Sequence, residues 1–357
     1  MRSSATRISS NPRIVYGALA LRPGGSGVQT YIRELLNEIP ALLPTADLAA
    51  VVQRDAVAEL PGDVHPLPRR VADGAVRAVL GALPVGDCDI VHGLDVDLPL
   101  VTKAATVATV HDLSVIDMPS ASSKFRAFGE QKLVRRALRK ADLLIAVSQF
   151  TADRIKAVSG REAAVAELAP AAWATPPAES ALDAVREKYS LPERFVLQVG
   201  TVEPRKNVQL VADAAERLGI PSVLAGAGSK GPNAPTSSIG LGYIDVEDLP
   251  ALYATATVTA YASRYEGYGL PPVEAMACGG AVVASAVGAL PDVVGDGAVL
   301  LGSERVDNWA DAMRPIVFDA DARAALVSNA AAVSAGLTWR RTAQRTVEAY
   351  RKAGIVS

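Results

Sequence analysis

The sequence predicts an α/β protein of two Rossmann-like doubly wound domains facing a cleft. Three observations carry this. Short apolar runs alternate with amphipathic stretches, the pattern of parallel sheets with helices on both faces. The alternation runs twice, with a break rich in Pro, Ala and Thr at 169–180. At 357 residues the chain is long for one doubly wound domain and comfortable for two.

The first run opens with an apolar strand at 13–17 and a glycine loop, Pro23-Gly-Gly-Ser-Gly27. Val28, Tyr31, Ile32, Leu35, Leu36 and Ile39 then recur at helical spacing and define an amphipathic helix. Strands follow at 89–92, 105–110 and 143–147, with helices at 123–140 and 151–158. The second run has a strand at 195–199, a helix over 208–218, and strands at 222–225, 239–242 and 258–261. A helix begins at Asp248, and another at Pro271 and Pro272, which suit a first helical turn. A Gly pair stops that helix before a buried strand at 281–285. The segment 339–351 is a closing helix on which Trp339, Val347 and Tyr350 share a face with Ala343 between. The expected domains are 1–175 and 176–335, with 336–357 as a terminal helix.

Half of the residues are hydrophobic, 21% are charged, and the net charge is −2. That balance gives no attraction to phosphate polymers and excludes wholesale nucleic-acid binding. Cys88 and Cys278 form no disulfide framework or metal-ligand spacing, so a reducing, cytoplasmic setting is the default. No apolar run is long enough to span a membrane. Residues 1–10 are basic and polar with no apolar core behind them, and read as a frayed leader rather than a secretory signal.

Chemistry concentrates at strand ends. The strongest stretch is Glu266-Gly-Tyr-Gly-Leu-Pro-Pro-Val-Glu274, leading into Ala-Met-Ala-Cys-Gly279. Glu266 lies on a loop after a strand, and Glu274 is expected within the first turn of the following helix. The intervening glycines let backbone N–H groups approach a ligand, and the helix N-terminus favours an anion. Amides for phosphates and carboxylates for hydroxyls suit a phosphorylated sugar. Next comes Gly200-Thr-Val-Glu-Pro-Arg205-Lys206-Asn207. Arg and Lys at a helix N-terminus oppose the dipole, and make sense as a clamp on a diphosphate.

The segment from Tyr265 to Gly279 resembles the paired-glutamate signature of retaining nucleotide-sugar glycosyltransferases of family 4, particularly the bacterial mannosyltransferase-like members. The resemblance is most specific over 195–299, moderate over 110–155, and fades between 41 and 86. It implies the GT-B architecture and a nucleotide-sugar donor, with a lean toward GDP-mannose. Glu266 is then expected at the donor sugar hydroxyls and Glu274 at the ribose. Lys206, with Arg205, takes the leaving diphosphate. Thr201 stands where the family's pattern has a basic residue, and Arg205 can supply that charge. Donor contacts are also expected from Gly25, Ser26 and Gly27, from Thr201, from Tyr268, Gly269 and Leu270, and from the backbone near Tyr243 and Ile244. The terminal helix is expected to pack back on the first domain.

Other segments are less specific. Gly25-x-Gly27 has Thr30 where a dinucleotide fingerprint needs a third glycine, and no P-loop Lys follows. His111 follows a strand and stands beside Asp112, an acid placed to orient it; the resemblance puts this His at the donor sugar or the acceptor, and it is counted as catalytic with Glu266, Lys206 and Arg205. Asp95 and Asp97 have the form of a metal-binding Asp-x-Asp. With Arg205, Lys206 and the helix dipole available for phosphate charge, no metal is expected, and Asp95, Asp97 and Asp112 are assigned to the acceptor side. The stretch 124–140 is strongly basic with interleaved apolar residues, and reads either as a solvated face or as a contact with an anionic membrane or a lipid-pyrophosphate acceptor.

The expected enzyme is therefore a retaining hexosyltransferase, mannose favoured, that needs no cofactor. Its partners are a nucleotide sugar and an acceptor sugar, lipid-linked sugar or small molecule, with no nucleic acid. It is cytoplasmic or peripheral on the inner membrane face. The alternatives are a glycoside hydrolase using Glu266 and Glu274 as acid and nucleophile, and a non-catalytic subunit retaining the fold.

Overall fold

A computed structural model describes residues 11–24, 27–118 and 124–356. The chain divides into two compact units. The first takes the residues up to Leu168 together with those from Trp339 onward, and the second is Ala169–Thr338.

The first unit is a seven-stranded parallel sheet of order β3-β2-β1-β4-β5-β6-β7. Its strands are β1 (Arg13–Gly17), β2 (Asp47–Gln53), β3 (His65–Arg69), β4 (Ile90–Gly93), β5 (Ala105–Val110), β6 (Leu143–Ala146) and β7 (Ala164–Val165). Its helices are α1 (Val28–Leu42), α2 (Gly74–Gly81), α3 (Ser114–Asp117), α4 (Lys124–Lys140) and α5 (Gln149–Ser159). The central strands are buried on both faces, as parallel sheets require, and Ile14, Val15 and Tyr16 are fully enclosed. The strand order reverses between β1 and β4, the switch point beside which α/β sheets bind ligands.

The second unit is a six-stranded parallel sheet of order β10-β9-β8-β11-β12-β13. Its strands are β8 (Val196–Val199), β9 (Ser222–Ala225), β10 (Ser238–Gly242), β11 (Val258–Tyr261), β12 (Val282–Ser285) and β13 (Ala298–Leu301). Its helices are α6 (Glu179–Lys188), α7 (Val208–Arg217), α8 (Leu249–Thr255), α9 (Leu270–Ala277), α10 (Leu290–Val294), α11 (Val306–Phe318) and α12 (Ala320–Ala335). Val196, Val211, Val258, Val283, Trp309 and Met313 share one core. The switch point here lies between β8 and β11.

The last helix, α13 (Trp339–Lys352), belongs to the first unit and packs on α1. Trp339, Ala343, Val347 and Tyr350 are buried on it, as the spacing predicts, and Thr342 and Thr346 join them. Tyr350 Oη meets His92 Nδ1 at 2.5 Å, and His92 Nε2 meets Thr109 Oγ1 at 2.9 Å. Thr109 in turn pairs with Tyr31 Oη at 2.8 Å. This chain of bonds joins α13, β4, β5 and α1. Burial holds His92 neutral, its pKa pushed down to about 3 by desolvation and then by the neighbouring His111.

The unit boundary falls at 168 rather than 175. Thr342 Oγ1 donates to the Glu167 carbonyl at 2.5 Å and Arg345 pairs with the Glu167 carboxylate, which ties the chain up to that point to α13. A few residues on, Trp173 stacks on Tyr253 of α8 and belongs to the second unit. Among the described residues no helix is long and apolar enough to cross a membrane.

Candidate functional site

In the second unit, β8 and β11 are neighbours, so the loops that leave their C-terminal ends are held together. After β8 the chain passes Gly200 and makes a tight turn, Pro204–Lys206. After β11 it runs through Ser263 and Arg264 to Glu266. The Arg264 N–H donates to the Arg205 carbonyl at 2.8 Å and locks the two loops side by side.

The lock brings charges into contact. Lys206 Nζ donates to Glu266 Oε1 at 2.5 Å, Ser263 Oγ donates to the same oxygen at 2.7 Å, and Arg205 Nη1 lies 3.7 Å from Glu266 Oε2. Glu266 is buried. Burial pushes its pKa up, but the charges of Lys206 and Arg205 and the hydrogen bonds from Lys206 and Ser263 outweigh burial. They hold the carboxyl below its ordinary value, ionised at neutral pH. Arg205 Nε also donates to Glu203 at 2.9 Å. The sequence predicts both Lys206 and Glu266 as ligand contacts; their pairing with each other is the structure's addition. A crevice beside them is lined by Gln198, Gly200, Thr201, Val202 and Lys206, with Thr201 exposed at its edge.

The glutamate loop is enclosed apart from Arg264, and Tyr265 and Tyr268 are buried. Two glycines permit its path. Gly269 caps α9 at φ +104°, and a Cβ there would meet Leu290 Cδ2 at 2.4 Å. At Gly288 a Cβ would lie 2.1 Å from the Glu266 carbonyl, which accepts from Ala289 N–H at 3.0 Å instead. The helix starts at Leu270, so Glu274 is its fifth residue and lies in the second turn, not the first. That extra depth buries it, and desolvation pushes its pKa up to about 8. The phenols of Tyr253 and Tyr261 share this interior; burial, and then among other charges that of Glu274, opposes their ionisation. The two glutamates of the signature are thus oppositely perturbed, a common mark of functional sites. After the edge strand β10, Tyr243 is 74% exposed and Ile244 is buried.

In the first unit, Gly25 and Ser26 lie outside the described residues. Gly27 precedes α1 with φ +63°. His111 does not bond to Asp112. Its Nε2 meets the Leu94 carbonyl at 2.9 Å, and its ring packs edge-on against Tyr31 with centroids 4.8 Å apart. Asp112 instead accepts from Ser114 N–H and Oγ at 2.9 and 2.7 Å and fixes the start of α3. Asp95 and Asp97 face the Arg77 guanidinium of α2 at 3.7 and 3.9 Å. Asp97 is buried, its pKa raised to about 6 by desolvation and by Asp95 against the pull of Arg77. Among the described residues there is no group of three or more His, Cys, Asp or Glu placed to hold a metal.

Comparison with known proteins gives the family. Residues 25–169 match the family described as Glycosyltransferase Family 4, and residues 183–333 match Glycosyl transferases group 1. The chain is 30% identical over 282 residues to O-antigen chain mannosyltransferase B of Escherichia coli, covering 73% of this chain and 74% of that protein. It is 30% identical over 395 residues to the D-inositol 3-phosphate glycosyltransferase of Actinosynnema mirum, covering 96% and 92%. Among solved structures, sucrose-phosphate synthase from Thermosynechococcus elongatus superposes with a TM-score of 0.75 at 20% identity, covering 96% of this chain and 99% of that one. Anabaena HepE in complex with UDP and glucose gives 0.73 at 18% identity, covering 95% and 99%. The chain belongs to the family 4 glycosyltransferases and has their GT-B fold.

Proposed function

We propose that this glycosyltransferase moves a hexose, mannose favoured, from a nucleoside diphosphate sugar to an acceptor hydroxyl with retention and without a metal. The observation that carries the reading is the Lys206–Glu266 contact at the switch point of the second unit, beside the Gly200–Thr201 crevice. An ionised carboxylate accepts from donor sugar hydroxyls, while the cation next to it meets the phosphate being released. The acceptor oxygen bonds to the anomeric carbon on the face that the diphosphate leaves. The bond to the diphosphate oxygen breaks, and the hydroxyl proton passes to that oxygen. Lys206 and Arg205 then stabilise the departing charge electrostatically. Glu274 takes the ribose, and the Gly242–Ile244 backbone takes the base. Mannose is favoured by the mannosyltransferase among the relatives.

His111 is assigned a catalytic place at the donor sugar or the acceptor, and the Asp95–Asp97 pair the acceptor side. The acceptor is a sugar, a lipid-linked sugar or a small molecule. The basic helix α4 touches an anionic membrane from the cytoplasmic side.

The opposed pKa shifts of Glu266 and Glu274 would also suit a hydrolase pair. Family membership and the cation on Glu266 favour transfer. The test is a thermal-shift panel of UDP-, GDP- and ADP-sugars, followed by initial rates with the best donor. A bound donor raises apparent stability by mass action. A chain that ignores every nucleotide sugar but cleaves a simple glycoside is a hydrolase, and one that does neither is a non-catalytic subunit.

A further inference from the structure

The first unit carries exposed apolar side chains that its own core does not use. Val71, Val76, Val79 and Leu83 come from α2 and its flanks, and Leu100 and Val101 from the loop between β4 and β5. Val79, Leu100 and Val101 are 62%, 70% and 75% exposed. The two groups are adjacent, since the Leu100 N–H donates to the Ala82 carbonyl at 2.8 Å. Singly exposed apolar residues need no explanation, but a cluster of this kind marks a contact surface.

Positive charge borders the cluster. Arg136 of α4 donates to the Leu98 and Pro99 carbonyls at 2.7 and 2.6 Å and fixes that helix against the loop. Lys132, Arg135 and Arg139 share the helical stripe of Arg136 and are exposed; Arg70 and Lys103 are exposed on the apolar segments themselves. The nearby acids are mostly engaged. Asp73 bonds to Arg22, Asp89 accepts from the Arg13 N–H, and Asp95 and Asp97 face Arg77.

We propose that this face, α2 with the 98–103 loop and the exposed stripe of α4, lies on an anionic bilayer, and that the acceptor is drawn from that bilayer. Apolar side chains flanked by Lys and Arg match both layers of such a surface: the side chains enter the acyl boundary while the cations meet lipid phosphates. The face also adjoins the carboxylates assigned to the acceptor, because Arg77 of α2 is the residue that Asp95 and Asp97 meet. The acceptor half of this inference rests on the glycosyltransferase reading, whereas the lipid contact does not.

The experiment is co-sedimentation of the full chain with phosphatidylcholine vesicles, with and without phosphatidylglycerol. The native chain should pellet with the anionic vesicles at low salt and be released at high salt. Val79→Ser, Leu100→Ser and Val101→Ser combined should lower partitioning about tenfold or more. Arg135→Gln with Arg139→Gln should lower it roughly 20- to 30-fold at low salt. All these side chains are exposed, and both variants should keep the native thermal shift with a nucleotide sugar. The contact is overturned if the native chain ignores anionic vesicles at low salt, or if the triple Ser variant pellets like the native chain. It is equally overturned if the native chain is a dimer that the Ser variant dissociates while neither form pellets, because the face then serves self-association. Vesicle uptake without any nucleotide-sugar shift would leave the lipid contact standing and remove the functional reading instead.

Discussion

Glu274 gives the most exposed test of the site, because its perturbation is large and its sign is fixed. The carboxyl is buried on α9 and its pKa rises from 4.5 to about 8 through desolvation. Between those values the folded chain holds a proton that the unfolded chain has released. The contribution to stability is therefore fully present below pH 4.5, falls as pH rises, and is lost above about 8. At 1.36 kcal/mol per unit, the loss reaches about 4 kcal/mol by pH 7.5. Glu274→Gln keeps the shape and removes the charge. Urea unfolding of the two proteins should give similar stabilities near pH 4.5, with the Gln variant increasingly the more stable toward pH 8. Nucleotide binding should run the other way. If ribose hydroxyls donate to the carboxylate, binding favours its ionised form and releases a proton. Native affinity for a nucleoside diphosphate should then rise with pH up to about 8, relative to the Gln variant. Calorimetry in buffers of different ionisation enthalpy reads the released proton directly. Parallel stability curves for the two proteins between pH 5 and 8 would refute the buried-carboxyl argument. A proton count equal in both would refute the ribose assignment alone.

Further outcomes follow from the remaining contacts. Lys206→Ala should weaken nucleoside diphosphate binding about 10- to 100-fold and nucleoside binding little, since a charge-assisted contact is worth roughly 1.5–3 kcal/mol; equal losses would place Lys206 away from the phosphates. Glu266→Ala should cut turnover strongly while the free diphosphate still binds, and near-native turnover would contradict its role at the sugar. Rates should survive EDTA, with loss on chelation and rescue by Mn²⁺ or Mg²⁺ as the contrary result. Tyr350→Phe leaves His92 Nδ1 buried without its hydroxyl and should cost about 1–3 kcal/mol in urea unfolding; an unchanged midpoint would mean that the α13 bond is not needed.

What the sequence reveals depends on how local the cause is. The strands at 105–110, 222–225 and 258–261 are legible to the residue, because a buried parallel strand is a continuous apolar run between polar turns. Strand β3 is not, since Pro66 and Pro68 argue against a ladder; it forms at the sheet edge, where a missing donor is tolerated. Helix α12 is hidden by its composition. Alanine surrounds it on every face, so its buried Ala330 and Ser334 leave no periodic trace. In the site, Glu266 and Lys206 are legible singly because each follows a strand signal. Their contact is not, for it depends on β8 and β11 being neighbours across 60 residues of chain. The same holds for His92, whose partner Tyr350 is 258 residues away. Asp97 shows how one element absent from the sequence reading changes the surroundings of a candidate residue. Without α2 the Asp95–Asp97 pair is an open loop with two free carboxylates, a shape that invites a metal or a sugar. With α2 in place, Arg77 faces both acids, and Gly81 passes so close that a Cβ there would lie 3.0 Å from Asp97 Cβ. An acceptor held by Asp97 would therefore share that carboxylate with Arg77 of α2, the helix that also carries the exposed Val76 and Val79.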